Sequence, residues 1–236
     1  MKTPLLLLHG ALGSKEQLVS LQEKLSSERA VFVLDFEGHG KSKSESDFSI
    51  ELFTQNVFDF LEENKISKVA IFGYSLGGYV AFNFALRHPD MVEKIISLGT
   101  KFDWNPEFAN KEIKMLNPEA IQMKVPAFAE RLKQLHGNGN WHNVVLKTAK
   151  MMQNLGENPS LKEADFHKLN ISALICLGEL DVMSTEIESK NVSNWLQNGQ
   201  FQLIENLKHP IETVPVDKIV AIITTFLNTE KLEKLY

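Results

Sequence analysis

Short, mostly apolar runs recur along the chain at 4–8, 30–35, 68–73, 94–98, 173–177 and 200–204. Each has the length of a β-strand. Apolarity on successive rather than alternate positions marks a strand covered on both faces, so these runs predict a parallel sheet between helical layers. The stretches between them carry apolar residues at helical spacing. Ser14-Lys-Glu-Gln17 has the capping-box spacing and leads into Leu18, Leu21 and Leu25 on one face. Ser49 stands where it can cap a helix carrying Leu52, Val57 and Leu61. A helix over 76–87 stops before His88-Pro89, because proline cannot continue it. A last helix over 216–227 aligns Ile219, Val220, Ile223 and Phe226. Strands alternating with helices predict a doubly wound α/β domain with right-handed crossovers.

The alternation breaks once. From 104 to 170 the pattern holds no strand and reads as several helices. Asn117-Pro118-Glu119 places an N-cap before a proline at the first helical position. Segment 126–136 is amphipathic and ends at Gly137, 140–155 ends at Gly156, and Ser160-Leu-Lys-Glu163 has a second capping-box spacing. The expected organisation is a core of 1–104 and 159–236 with a helical lid inserted at 105–158.

Composition narrows the function classes. The 236 residues suit one domain with an insertion. Lysine and arginine number 25 against 30 acidic residues, a net charge of −5, which argues against a nucleic-acid partner. The single Cys176 lies in an apolar run, where a buried inert thiol is expected and an internal disulfide is impossible. Leu5–Leu8 is too short for a signal-peptide core, and no run approaches the 18 or so apolar residues of a membrane span. A soluble cytoplasmic protein is the expectation.

Gly73-Tyr-Ser-Leu-Gly77 follows a predicted strand and opens a predicted helix, the context in which Gly-x-Ser-x-Gly forms a nucleophile elbow. Serine is a weak nucleophile and needs a base. Of seven histidines only His209 follows the last predicted strand, in a loop that can reach Ser75. His9 reads as a packing residue in its turn, His39 as a structural partner beneath the site, His88 as a solvated or capping residue, and His136, His142 and His167 as exposed lid residues, one of which could touch substrate. The carboxylate that fixes the histidine tautomer is read as Asp181, at a strand end, with Glu179 and Asp103 as competitors and Asp103 the one retained. An oxyanion hole would come from the backbone N–H groups of Leu76, after the nucleophile, and of Ala11, in His9-Gly-Ala-Leu-Gly13.

Leu8-His-Gly-Ala-Leu-Gly-Ser14, Asp35-Phe-Glu-Gly-His-Gly-Lys-Ser42, Gly73-Tyr-Ser-Leu-Gly-Gly78, Leu177-Gly-Glu-Leu-Asp181 and Lys208-His-Pro210 together resemble the α/β-hydrolase superfamily, in register along the whole chain. The resemblance implies the triad and oxyanion assignments above, the helical insertion as the family's cap, and the 35–42 loop beside the active site. The chain opens at what that family counts as its third strand, so about six strands are expected, without the family's first two. Lys208 replaces the glycine more usual before the histidine.

The function expected is a serine hydrolase cleaving a small to medium, mostly apolar carboxylic ester, thioester or C–C bond through an acyl-enzyme. No metal or organic cofactor is expected: no His/Cys/Asp cluster has ligand spacing and no Gly-x-Gly-x-x-Gly loop occurs. The lid is rich in methionine and aromatic residues, and Tyr79, Trp104, Phe128 and Met151 are candidates to line an apolar pocket for a small-molecule substrate. One alternative is a lyase of the menaquinone pathway, which the chain resembles in length and motifs. That family carries an arginine after the elbow's paired glycines, where this chain has Tyr79. The other alternative is a ligand sensor that keeps the triad but turns over slowly.

Overall fold

The computed structural model describes residues 2–229. The strands are β1 (Leu5–Leu8), β2 (Val31–Leu34), β3 (Val69–Tyr74), β4 (Val92–Leu98), β5 (Ser172–Leu180) and β6 (Asn198–Lys208). They form one sheet in the order β2-β1-β3-β4-β5-β6, with every neighbouring pair parallel. Each predicted run is therefore a strand, although β5 and β6 extend further than their apolar stretches. The core helices in chain order are α1 (Val19–Leu25), α2 (Ile50–Glu63) and α3 (Leu76–Arg87). Between β4 and β5 follow α4 (Pro106–Ile113), α5 (Pro118–Lys124), α6 (Pro126–His136), α7 (Trp141–Glu157) and the single turn α8 (Glu163–Phe166). The last two are α9 (Glu186–Trp195) and α10 (Val216–Asn228).

The continuous apolarity of β1 has a direct cause. Leu6 and Leu8 pack into one layer with Phe53 and Val57 of α2, Val80 and Phe84 of α3 and Val192 of α9. Leu5 and Leu7 pack into the opposite layer with Leu21 and Leu25 of α1 and Ile219, Ile223 and Phe226 of α10. A helical layer thus covers each face of the sheet, so both sets of alternate residues must be apolar.

Chain order also fixes where a site can lie. β1 has β2 on one side and β3 on the other, so the crossovers leave in opposite directions and open a crevice beyond the carboxyl ends of β1 and β3. The ends are in register: Leu8 pairs with Gly73, Gly73 with Ser97, and Leu180 with Lys208. The residues that follow them, including Ser75, Asp181 and His209, emerge on one edge.

Several local expectations need correcting. Ser14 is an N-cap without a capping box: the first turn, Lys15–Leu18, is a 3-10 turn, so Ser14 Oγ accepts from Glu16 N at 3.3 Å. Gln17 instead donates to Glu212 Oε1 at 2.5 Å. Ser160 caps nothing, since α8 begins after Lys162, whose N–H donates to Asp165 Oδ2 at 3.1 Å. Helix α9 carries a reciprocal box that the sequence reading passed over, Thr185 with Glu188, at 3.2 Å and 2.5 Å. Gly156 does not end α7 but lies within it. A Cβ there would fall 2.4 Å from Ala109 Cβ, so glycine is required where α7 crosses α4. Gly156→Val is expected to lower stability by roughly 1–3 kcal/mol through overpacking. Urea denaturation of the variant, alone and with Ala109→Gly, checks this: the second substitution should restore part of the loss.

Candidate active site

From Val69 to Ala85 every residue is buried except Ser75, which is half-buried. The backbone explains that exception. Ser75 adopts φ 51° and ψ −116°, a left-handed conformation that a non-glycine residue holds only where its surroundings enforce it. Ser75 N donates to Leu98 O at 2.8 Å, and Ser75 O accepts from Thr100 Oγ1 and Gly78 N, both at 3.0 Å. The flanking glycines allow the approach. A Cβ on Gly73 would lie 2.4 Å from Gly78 N, and one on Gly77 would lie 2.4 Å from Leu8 O. The sharp turn lifts Ser75 out of the packed layers at the head of α3.

Asp181 and His209 leave adjacent strands in register, and His209 Nδ1 donates to Asp181 Oδ2 at 2.8 Å. The other carboxylate oxygen accepts from Met183 N at 2.7 Å and Ser184 N at 3.1 Å, so the carboxylate is fixed at both ends. Gly99, at φ 61°, passes so close that a Cβ would be 2.9 Å from Asp181 Oδ2 and 3.2 Å from His209 Nδ1. The Tyr74 hydroxyl donates to the His209 carbonyl at 3.0 Å, and burial pushes its phenol upward, which keeps the donor protonated. Glu179 is engaged elsewhere, accepting from Asn206 N at 3.0 Å. Asp103 is exposed and makes no contact with His209.

Ser75 and His209 line one cavity of about 420 Å³ together with Ala11 and Leu12 of the loop after β1. Their side chains share it without a direct hydrogen bond between them. Leu76 N opens α3 directly after Ser75, and Ala11, in the loop after β1, lines the cavity with the serine.

Three histidines brace these loops from below. His9 is fully buried, with Nδ1 donating to Gly10 O at 2.8 Å and Nε2 accepting from Phe36 N at 3.2 Å. His39 packs 5.1 Å from its ring and 5.8 Å from that of His136. His136 was expected on an exposed lid face but is buried. Its Nδ1 accepts from Gly40 N and its Nε2 donates to Leu12 O, both at 3.0 Å, so it clasps α6 to two core loops. His88 packs on the Phe58 and Phe84 rings and caps no turn with its side chain. His142 and His167 are exposed, as expected.

The cavity walls correct most of the pocket candidates. Phe128 lines it, with Leu12, Met115, Leu116, Leu132 and Met152. Tyr79, Trp104 and Met151 do not. Tyr79 is core, its hydroxyl accepting from Leu161 N at 3.1 Å. Trp104 packs edge-on against Phe108 and donates to Lys101 O. Met151 is buried beneath α7, because successive helical positions differ by about 100° and it is the next residue, Met152, that turns to the cavity. Sequence periodicity marked α7 as amphipathic but not which edge of its apolar face borders the cavity. Cys176 is buried, and its thiol is pushed up to about 12. Among the described residues no three His, Cys, Asp or Glu side chains form a metal-binding group, and no helix is long and apolar enough to cross a membrane.

Comparison with known proteins agrees with this geometry at the level of fold. The family model for the alpha/beta hydrolase fold matches residues 3–134. A probable alcohol acetyltransferase of Cyberlindnera fabianii is 35% identical over 101 residues, 42% of this chain and 27% of the relative. An sn-1-specific diacylglycerol lipase of Danio rerio is 34% identical over 96 residues, 40% of this chain and 30% of the relative. The matches thus span about a third or less of the length of these relatives. Among solved structures, an alpha/beta hydrolase enzyme from a Medee basin deep-sea metagenome library superposes with a TM-score of 0.83 at 19% identity, covering 100% of this chain and 92% of that one.

The buried histidines set an acid limit on stability. Burial lowers the pKa of His9 from 6.5 to about 4 and also lowers those of His39 and His136. The unfolded chain therefore binds protons that the folded chain refuses. The stability from His9 is fully present above 6.5 and lost as pH falls toward 4. Between pH 6.5 and 5 this amounts to about 2 kcal/mol for one such histidine. Urea unfolding at pH 7 and pH 5 measures it, and His9→Asn is expected to flatten the dependence.

Proposed function

Because the chain belongs to the alpha/beta hydrolase fold family, we propose that it is a serine hydrolase that cleaves carboxylic esters through an acyl-enzyme on Ser75. The observation that carries this reading is the Asp181–His209 hydrogen bond of 2.8 Å at the wall of the cavity that Ser75 lines. Asp181 holds Nδ1 protonated, which leaves Nε2 of His209 as the base. As the ester enters, Nε2 takes the Ser75 proton and Oγ adds to the carbonyl carbon. Charge develops on the carbonyl oxygen, where the N–H groups of Ala11 and Leu76 donate, the second reinforced by the amino end of α3. The imidazolium, supported by Asp181, then protonates the departing alcohol. Water enters, gives one proton to His209 and adds to the acyl carbon; the bond to Ser75 Oγ then breaks, His209 returns the proton to Oγ, and the acid leaves.

The insertion at 105–158 acts in this reading as the lid. Phe128, Leu132, Met115 and Met152 give the cavity an apolar wall facing the serine, suited to an acyl chain or an apolar alcohol. The lyase alternative is disfavoured at one position. Tyr79 is buried with its hydroxyl committed to Leu161 N and offers no cation to a substrate carboxylate. A second reading concerns the acyl acceptor. The relative named as an alcohol acetyltransferase favours testing an alcohol in place of water, and product analysis with ethanol present separates the two.

Ser75→Ala is expected to keep the fold and to remove up to about 10⁶-fold of turnover, with loss of fluorophosphonate labelling. Asp181→Asn should lower turnover by about 10⁴-fold through the wrong histidine tautomer. Near-normal hydrolysis by purified Ser75→Ala rejects the assignment. On p-nitrophenyl acetate, butyrate and hexanoate, kcat/KM is expected to rise roughly threefold to fourfold per added methylene until the cavity is full, since each buried CH₂ contributes about 0.8 kcal/mol. A flat profile rejects the apolar acyl wall and leaves the triad reading intact.

A further inference from the structure

The polar side chains that line the cavity are, Ser75 apart, mostly engaged with one another. His209 is bound to Asp181, the Tyr74 hydroxyl to the His209 carbonyl, and both Arg131 and Gln17 to Glu212. Glu112 is the exception. It lines the same cavity as Ser75 and His209 and is only 4% exposed, yet its carboxyl has no hydrogen bond or ion pair among the described residues. The nearby lysines are engaged elsewhere. Lys101 Nζ lies 2.9 Å from Glu188 and 4.3 Å from the centre of the Phe108 ring, and Lys111 lines a separate surface groove.

The Glu112 carboxyl has no ion-pair partner of its own, although Lys111, His209 and Lys101 lie near enough to favour its charge. Partial burial disfavours the charged form of such a carboxyl. Glu112 also sits in the last turn of α4, which ends at Ile113, where negative charge opposes the helix dipole. Burial raises its carboxyl above the ordinary value despite the opposing pull of Lys111, His209 and Lys101. An uncompensated ionisable group in a catalytic cavity is a candidate for substrate recognition.

We propose that Glu112 determines the specificity of this cavity, selecting an ester whose acyl or alcohol part carries a protonated amine. The inference rests on the ester-hydrolase reading and names its substrate class. An ammonium supplies both what the carboxylate lacks, a positive charge and hydrogen-bond donors. A neutral hydroxyl would supply a donor and leave the charge uncompensated. The apolar residues that line the cavity with Glu112 and Ser75, Met115, Phe128 and Met152 among them, suit a carbon chain joining the amine to the ester. An anionic substrate would face an uncancelled negative charge at this wall.

The test reads binding rather than turnover. n-Alkylammonium ions of four to eight carbons, and n-alcohols of equal length, are titrated into wild type, Glu112→Gln and Glu112→Leu by NMR. In wild type the ammonium is expected to bind at least about tenfold more tightly than the matched alcohol, as a charge-assisted hydrogen bond provides. In both variants that advantage should fall below about twofold with little change in alcohol affinity. Equal affinities in wild type, or an advantage that survives substitution, overturn the proposal. Both variants are expected to melt no lower than wild type, because the carboxyl has no partner to lose; a lower melting temperature in both would show a structural role and also overturn it. Hydrolysis of neutral p-nitrophenyl butyrate, measured alongside, tests the ester-hydrolase reading separately.

Discussion

At the head of α3 two pieces of backbone meet with no side chain between them. Gly77 lies against the carbonyl of Leu8, and Gly73 against the amide of Gly78. This contact lets the chain turn from strand to helix within one residue, and that residue is Ser75. Its left-handed conformation costs on the order of 1–3 kcal/mol, offset by hydrogen bonds from the ends of the neighbouring strand. Leu98 accepts from Ser75 N, and Thr100 donates to Ser75 O. The turn therefore couples β1, β3 and β4 at their carboxyl ends. A larger residue at either glycine would displace the serine from the crevice that the strand order opens there.

The Asp181–His209 pair depends on the same edge by a different route. Pairing of Leu180 with Lys208 puts the two side chains one step beyond matched positions. Gly99, following β4, leaves them room. The helices between β4 and β5 are tied to both sides of this arrangement. His136 holds them to Leu12 and Gly40, and Arg131 pairs with Glu212 three residues beyond His209. The cavity between these helices and the sheet is thus anchored at the loop that carries Ala11 and at the loop that carries His209.

The legible parts of the sequence were those in which local chemistry dictates local geometry. The apolar runs marked the inner strands because both sheet faces are covered there, while the edge strand β6, largely exposed, showed a more mixed run. The elbow was readable because its glycines and serine are adjacent in sequence, and Ser75, Asp181 and His209 were readable because each follows a strand. What depended on rotation about a helix axis was not readable. Met151 and Met152 are neighbours in sequence, and only the packing of α7 on α4 decides that the second meets the cavity. Gly156 reads as a helix terminator until Ala109 is found against it. His136 reads as a surface residue until two loops close over it. The Thr185–Glu188 box was present in the sequence, but of the four residues α9 buries, Glu188, Ser189, Val192 and Ser193, only Val192 is apolar, so its apolar periodicity is thin.

The energetic layout of the site follows from these contacts. Its rigid members are the elbow, whose Ser75 backbone N–H and C=O are both hydrogen-bonded, and the Asp181–His209 pair, whose carboxylate and Nδ1 are bonded. The cavity wall is mostly apolar, and its charged members beyond His209 are Arg131 and Glu212, which pair with each other, and Glu112, which has no ion-pair partner among the described residues. The strain at Ser75 and the unpaired carboxyl of Glu112 therefore face one space, and neither is explained by the stability of the fold. Both are accounted for if that space is filled by a molecule that presents a carbonyl carbon to the first and a positive charge to the second.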